Sequence, residues 1–319
     1  MRAAPLTPGP ASRTVPVGVR AAVRVPATSA NLGPGFDSLG LALDWTDGSA
    51  VTVTERGITF DLSGPGSEGL PQDETHLVVR TVLETLGGWG VSVPGLHFES
   101  KLSIPLARGL GSSSAAIVAG LALAWALANP GEPLDRRWAF ERAYELEGHG
   151  DNVGPAVLGG FTITWPSSDP HLHGRPQSRT SPVSDRVRAL ALIPDGELLT
   201  ESARGALPAT VPLGDAIANV ARSALLVHAL ADDPELLLEA TADRLHQDHR
   251  RSLAPDSYAV MQELRRRGFA ALISGAGPTV LVLHSVDQEE ALLTACAEVP
   301  HARWMTARQL RPGRGVEIL

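Results

Sequence analysis

Apolar and polar residues alternate along the first part of the chain, and this pattern predicts a β-rich opening. Side chains of a strand point to its two faces in turn, so a repeat of two residues indicates a segment with one buried face. Asp47-Gly48 and Arg56-Gly57 are typical of tight turns and separate the segments. The predicted strands are 19–25, 41–43, 50–54 and 59–62.

A helical repeat follows these strands. Residues 73–86 carry apolar side chains three and four positions apart and end at Gly87-Gly88, which predicts a helix. Alternation returns at 97–104 as a strand, and residues 115–128 are apolar on all sides, as expected of a helix buried between other layers. An amphipathic helix at 134–146 comes next, and then a segment at 153–165 with a break at Gly159-Gly160.

The second half of the chain alternates between strands and helices. We predict strands at 188–193, 270–274 and 280–284, and helices at 213–231, 234–243 and 257–267. The 319 residues are about twice the usual domain length, and a polar, proline-bearing stretch at 166–185 indicates a boundary. The proline-rich start lacks a continuous apolar segment. The predicted organisation is a flexible leader at 1–18, an N-terminal domain at 19–165 and a C-terminal domain at 166–319.

Composition narrows the possible functions. The net charge is −8 with both signs interspersed, which argues against nucleic acid as a partner. The longest uncharged apolar run is too short to span a bilayer, so no membrane partner is expected. The single cysteine, Cys296, excludes an internal disulfide and suits the cytoplasm. The only lysine is Lys101, so a nucleotide site here cannot use the lysine of a P-loop.

The segment from Pro105 to Ala115 reads PLARGLGSSSA and lies between a predicted strand and a predicted helix. Glycines allow close approach of the backbone to a ligand, and the free N–H groups of a helix start favour an anion such as a triphosphate. A flexible glycine-serine linker is the plain alternative. A hydrolase nucleophile elbow is a weaker one, because the closing glycine of that motif is missing.

Three motifs in order resemble the signatures of the GHMP kinases. The first is PATSANLGPGFD at 26–37, the second is the glycine-serine segment, and the third is ISGAGPT at 273–279. The resemblance covers the chain from about residue 19 onwards. It implies an α+β fold of two domains: an N-terminal domain like the second domain of ribosomal protein S5, and a C-terminal ferredoxin-like domain with the active site between them.

The resemblance implies that ATP and Mg²⁺ bind around the second motif. Ser113 and Glu147 are the implied metal ligands, and Glu145 stays open as an alternative to Glu147. His76 stands where the family usually has an asparagine near adenine. The implied nucleotide-binding residues are His76, Pro105, Arg108, Gly109, Leu110, Gly111, Ser112, Ser113 and Ser114.

Within this family, the sequence EGHGDN at 147–152 and the segments around 200–204 and 244–250 are most similar to the homoserine kinases. The resemblance therefore implies phosphorylation of the L-homoserine hydroxyl in threonine biosynthesis, by a protein that forms a homodimer. Asp151, helped by Asp37, would bind the substrate ammonium, and Arg204 and Arg250 its carboxylate. Thr200, Asn31 and Gly275 complete the implied substrate site, and catalytic roles are implied for Asn31, Asn152 and Arg204.

Two alternatives to this function remain open from the sequence. One is another GHMP kinase that acts on a mevalonate-like or sugar alcohol, which would not need the arginines at 204 and 250. The other is a sensor with the same fold that binds a ligand without phosphorylating it. The presence of the glycine-serine segment and of Glu147 argues against the sensor.

Overall fold

The structure is a computed structural model, and it describes residues 13–172, 174–198 and 200–319, with the side chains of Thr200 and Glu201 left out. Its strands are β1 (Arg13–Thr14), β2 (Arg20–Ala30), β3 (Leu39–Thr54), β4 (Gly57–Ser63), β5 (Val91–Ser92), β6 (Gly95–Lys101), β7 (Phe161–Pro166), β8 (Pro176–Ser181), β9 (Val187–Ile193), β10 (Ala270–Ile273), β11 (Val280–Ser285), β12 (Thr306–Leu310) and β13 (Glu317–Ile318). Its α-helices are α1 (Leu77–Gly88), α2 (Ser112–Ala128), α3 (Arg136–Glu147), α4 (Val153–Leu158), α5 (Thr200–Gly205), α6 (Leu213–Ala231), α7 (Leu237–Ala240), α8 (Pro255–Arg266) and α9 (Glu289–Glu298).

The N-terminal sheet has the order β13-β2-β3-β6-β4, and β7 and β8 continue it beside the first part of β3. β3 is one unbroken strand, so the turn predicted at Asp47-Gly48 is wrong. Both residues are paired with β2, and the Asp47 carboxylate accepts hydrogen bonds from the backbone N–H groups of Ser103 and Ile104 at 2.6 and 3.0 Å. The aspartate holds a neighbouring loop instead of making a turn.

Helix α2 lies at the centre of the N-terminal domain. Its apolar side chains are buried against α1, α3 and β2, as the run without charges predicted. An apolar residue gains about 25 cal/mol for each Å² removed from water, so a helix that is apolar all round is stable only between other layers. This packing sets the direction in which the first turn of α2 points.

The C-terminal sheet is antiparallel with the order β10-β11-β9-β12. Helix α8 packs on β10 and β11, and α6 and α7 lie in the core that joins this sheet to the first part of β3. The predicted α+β class is thus confirmed. No helix in the described part of the chain is long and apolar enough to cross a membrane.

The two domain boundaries differ from the sequence prediction. Arg13 and Thr14 pair with β5 and Val15 is buried, so the flexible leader predicted to reach residue 18 is wrong for 13–18; residues 1–12 lie outside the described residues. The C-terminal domain begins later than the predicted residue 166, because β8 still pairs with β7 of the first sheet. The chain also returns to that sheet at its end, through β13 beside β2. Pairing between strands so far apart along the chain leaves no signal in the local amino-acid sequence.

Candidate functional site

The three sequence motifs meet at the glycines of the second one. Gly109 and Gly111 have φ angles of +74° and +72°, which side chains rarely adopt. A Cβ on Gly109 would meet the backbone oxygen of Ser274, and a Cβ on Gly111 would meet the Thr28 hydroxyl. Only glycine therefore lets the first and third motifs approach this loop closely.

Hydrogen bonds hold this junction together. Thr28 donates its N–H to Leu110 O at 3.0 Å and its hydroxyl to Asn152 Oδ1 at 2.7 Å. Ser274 donates its hydroxyl to Gly109 O at 2.6 Å, and Gly275 N–H donates to Ala30 O at 3.2 Å. The loop is thus fixed from both domains, and the free N–H groups at the start of α2 have a defined position.

Two cavities open on either side of this helix start, and Ser112 and Ser113 line both. The first has a volume of about 210 Å³ and is lined by charged side chains. The second has about 280 Å³, is mostly apolar, and runs along α1 and α2 past His76 and Leu77. The candidate residues that line the first cavity are Asn31, Asp37, Gly109, Gly111, Ser112, Ser113, Glu147, Asp151, Asn152, Arg204, Arg250 and Gly275.

Glu147 ends α3 directly opposite the start of α2. Its two carboxylate oxygens accept hydrogen bonds from Ser113 Oγ at 3.2 Å and Ser114 Oγ at 2.7 Å. Glu145, the alternative metal ligand, instead pairs with Arg142 at 2.8 Å on the surface. One carboxylate with a hydroxyl beside it fits Mg²⁺, which keeps waters and phosphate oxygens as its other ligands. Within the described residues, no group of three or more His, Cys, Asp or Glu side chains could hold a metal ion.

Asp37 and Arg204 come from different domains and bind each other across the first cavity. Arg204 Nη1 and Nη2 donate to Asp37 Oδ2 and Oδ1 at 3.0 and 2.7 Å, the two-pronged geometry that suits a guanidinium and a carboxylate. The hydrogen bond to Asp37 raises the pKa of Arg204. Arg204 also lies 5.8 Å from the centre of the Phe36 ring, a distance compatible with a cation–π contact.

Arg250 also lies near Phe36, 5.5 Å from the centre of the ring, and is buried. It donates to Ala203 O at 3.1 Å and Gly275 O at 3.2 Å, and its Nη1 lies 3.2 Å from His246 Nδ1. Burial, followed by the charge of Arg204, lowers the pKa of Arg250. The neutral acceptors around it keep this guanidinium in place at the cavity wall.

His246 was not singled out from the sequence as a site residue. Its Nε2 lies 2.7 Å from Gly33 O, and burial lowers its pKa, so we assign a neutral ring that donates to Gly33 and accepts from Arg250. Asp243 holds the turn that carries His246, accepting from the N–H groups of 245, 246 and 247. An aspartate before a short helical turn signals such a cap and could have drawn attention to this segment.

His149 was also missed, although it lies inside the motif at 147–152. Its Nδ1 is 2.6 Å from Asp151 Oδ1, and its Nε2 is 3.9 Å from Glu147 Oε1. Burial alone would lower the pKa of His149, but the hydrogen bond and charge of Asp151, together with the charge of Glu147, raise it overall. The imidazole therefore lies between Glu147, the implied metal ligand, and Asp151, the implied substrate ligand.

Asn31 and Asn152 lie in the cavity wall with their amides partly engaged. Asn31 has a φ of 68°, donates to Gly275 O at 3.0 Å and accepts from the Asp37 N–H at 3.0 Å. Asn152 accepts the Thr28 hydroxyl. Asn31 thus holds the surrounding backbone and Asn152 holds the Thr28 side chain, while both residues line the cavity.

Some of the implied nucleotide residues do not line either cavity. Arg108 turns away and donates to the backbone oxygens of Pro194 and Leu106, so a phosphate contact from its side chain stays a prediction that these hydrogen bonds do not support. Pro105 lines a separate pocket with Arg108. The side chains of Leu110 and Ser114 are buried. The side chain of Thr200 lies outside the described residues.

His76 directly precedes α1 and lines the second cavity. It is buried beside the Phe98 ring, at 4.8 Å between ring centres, and burial lowers its pKa, so the imidazole is neutral. Its Nδ1 has no hydrogen-bond partner in the described part of the protein. A contact between His76 and a nucleobase stays a prediction.

Comparison with known proteins agrees with the three motifs. Residues 76–160 match the family model for the GHMP kinases N terminal domain, and 221–301 match the one for GHMP kinases C terminal. The chain is 45% identical over 315 residues to a homoserine kinase of Streptomyces avermitilis, covering 98% of both chains, and 48% identical over 280 residues to one of Streptomyces coelicolor, covering 88% of both.

Solved structures of homoserine kinases also resemble this chain. A homoserine kinase of Cytophaga hutchinsonii has a TM-score of 0.79 and 28% identity, covering 94% of this chain and 97% of that one. The alternatives of a linker at the glycine-serine segment and of a hydrolase elbow are set aside by these matches over most of the chain. The chain belongs to the GHMP kinases, and within them to the homoserine kinase family.

Proposed function

We propose that this protein transfers the γ-phosphoryl group of ATP to the side-chain hydroxyl of L-homoserine, a step of threonine biosynthesis. One observation carries the proposal. Acidic and basic side chains face each other in a small cavity beside the start of α2, as a zwitterion requires. The cavity volume of about 210 Å³ leaves room for a short amino acid.

Each end of the substrate has a binding group of opposite charge. Asp37 and Asp151 would bind the ammonium, while Arg204 and Arg250 would bind the carboxylate through charge-assisted hydrogen bonds. With both ends held, the hydroxyl would point to the helix start at Ser112 and Ser113. Such positioning supplies much of the acceleration in phosphoryl transfer.

In the reaction, the hydroxyl oxygen forms a bond to the γ-phosphorus while the bond from that phosphorus to the bridging oxygen of ADP breaks. The Asn152 amide cannot accept the hydroxyl proton as a base, so the proton passes to phosphate or solvent. Backbone N–H groups at 112–114 would stabilise charge on the transferred group. Ser113 and Glu147 would hold Mg²⁺, which lowers the repulsion between the phosphate charges.

The second candidate function, a kinase for a mevalonate-like acid, is less well supported. If a substrate with a carboxylate but no ammonium engaged Arg204, it would leave Asp37 without its partner, which costs free energy in a partly buried site. We also propose that the protein forms a homodimer in the cytoplasm, with neither nucleic acid nor membrane as a partner.

The test is turnover of Mg-ATP by the purified protein with L-homoserine, L-threonine, L-serine, mevalonate or galactose, with detection of the phosphorylated product by mass spectrometry. Arg250→Met should raise the KM for homoserine about 10- to 100-fold, because charge-assisted hydrogen bonds contribute roughly 1.5–3 kcal/mol. Arg251→Met is the matched control, since Arg251 contacts the Tyr258 ring outside the cavity. Preferred turnover of mevalonate or galactose would refute the proposed substrate.

A further inference from the structure

The two carboxylates of the first cavity that are proposed to bind the ammonium are already paired within the protein. Asp37 is bound at both oxygens by Arg204, and Asp151 by His149 at 2.6 Å. Arg250 is not paired with a carboxylate in this way: it donates hydrogen bonds to the neutral acceptors Gly275 O, Ala203 O and His246 Nδ1. The pair between Asp37 and Arg204 is therefore the element that has to open before both groups can bind a substrate.

We infer that the protein selects zwitterions by ion-pair exchange, in which the substrate ammonium takes the place of Arg204 at Asp37 and its carboxylate takes the place of Asp37 at Arg204. This inference rests on the proposed function, since it concerns the same cavity. A zwitterion restores both partners at once. A ligand with only one charge that engages this pair breaks it and leaves either Asp37 or Arg204 unpaired.

The location of the two residues favours such an exchange. Asp37 lies in the loop after β2, and Arg204 lies in the short helix α5 of the other domain, 167 positions along the chain. Their side chains are 36% and 40% exposed, so water reaches the pair and it can open without unfolding the surroundings. A pair exposed to this extent contributes up to about 1 kcal/mol, which corresponds to about a fivefold change in affinity.

The exchange predicts a gain of binding in one variant. Asp37→Asn frees Arg204, so 4-hydroxybutyrate, which has the hydroxyl and carboxylate of homoserine but no ammonium, should bind about fivefold tighter to the variant than to the wild type. The same variant should bind 3-aminopropan-1-ol, which lacks the carboxylate, no better than the wild type does. Asparagine tolerates the positive φ of 56° at this position, so the fold should persist.

Two further variants complete the experiment. Arg204→Gln should show the opposite gain, for 3-aminopropan-1-ol. Glu197→Gln removes another carboxylate, one that pairs with Arg108 at 3.3 Å, and controls for the general effect of negative charge on an anionic ligand. Binding would be measured by calorimetry, with thermal melting to check folding.

The outcomes separate the exchange from the function. Gains confined to the matching analogue in each variant, and absent from Glu197→Gln, would support the exchange. If the wild type phosphorylates homoserine but neither variant gains affinity, the exchange is refuted and the proposed function stands. If the wild type neither binds nor phosphorylates homoserine, the proposed function and this inference are both overturned.

Discussion

Gly111 is the position at which the structure allows the sharpest test of how the glycine-serine loop is built. Its φ of +72° is unfavourable for alanine, and an added Cβ would meet the Thr28 hydroxyl and lie 3.0 Å from Asn152 Oδ1. Gly111→Ala should therefore force the loop away from the first motif. Because the N–H groups at the start of α2 follow this glycine, we expect the phosphate-binding geometry to change as well.

The free-energy cost of Gly111→Ala has two parts. A left-handed backbone costs a residue with a side chain about 1–2 kcal/mol. Crowding in a packed site adds a further ~1–3 kcal/mol. Gly131 is the matched control, because its φ is +84° and a Cβ there would meet nothing within 4 Å. Gly131→Ala should thus show the backbone cost alone.

The assay is kcat/KM for Mg-ATP together with chemical unfolding of both variants. A displacement of about 1 Å near the reacting groups can lower a rate about 100-fold. We therefore expect Gly111→Ala to lose about two orders of magnitude in kcat/KM, and Gly131→Ala to lose stability but keep its activity. If Gly111→Ala keeps the activity of the control at equal stability, the close approach to Thr28 has no role in catalysis.

Two other predictions concern the titratable side chains, namely Glu147 and the buried histidines. Glu147→Gln should lower kcat about 100-fold and raise the Mg²⁺ concentration needed for half-maximal activity, because one acidic ligand is lost; Glu145→Gln should do neither, and equal effects of both changes would refute the assignment. Burial lowers the folded-state pKa of three histidines, His76, His246 and His284. At these three positions the unfolded chain binds more protons, whereas at His149, whose pKa is raised, it binds fewer. Because three groups act against one, the free energy of unfolding should fall as pH drops below about 6.5, and denaturant melts that show no such fall would contradict this.

Local patterns predicted much of the fold because the forces behind them act over a few residues. An unbroken apolar run predicts α2, and the pattern of apolar and polar residues predicts the helix at Leu213–Ala231. The strand at 188–193 begins one residue earlier, at Val187. The turn at Asp47-Gly48 was wrong, because pairing with β2 and the hydrogen bonds to Ser103 outweigh the turn preference of that dipeptide.

The sequence by itself determined the three motifs, their order and the glycines that they need, since a left-handed backbone or a helix start depends on neighbouring residues. Only the tertiary structure decided that Asp37 is paired with Arg204, that His246 supports Arg250, and that Arg108 turns away from the cavity. The first and third contacts join residues far apart in the chain, and His246 faces Arg250 because its other ring nitrogen binds Gly33 O, 213 positions earlier. Their formation depends on how the two domains pack, and packing of this kind leaves no periodic trace in the amino-acid sequence.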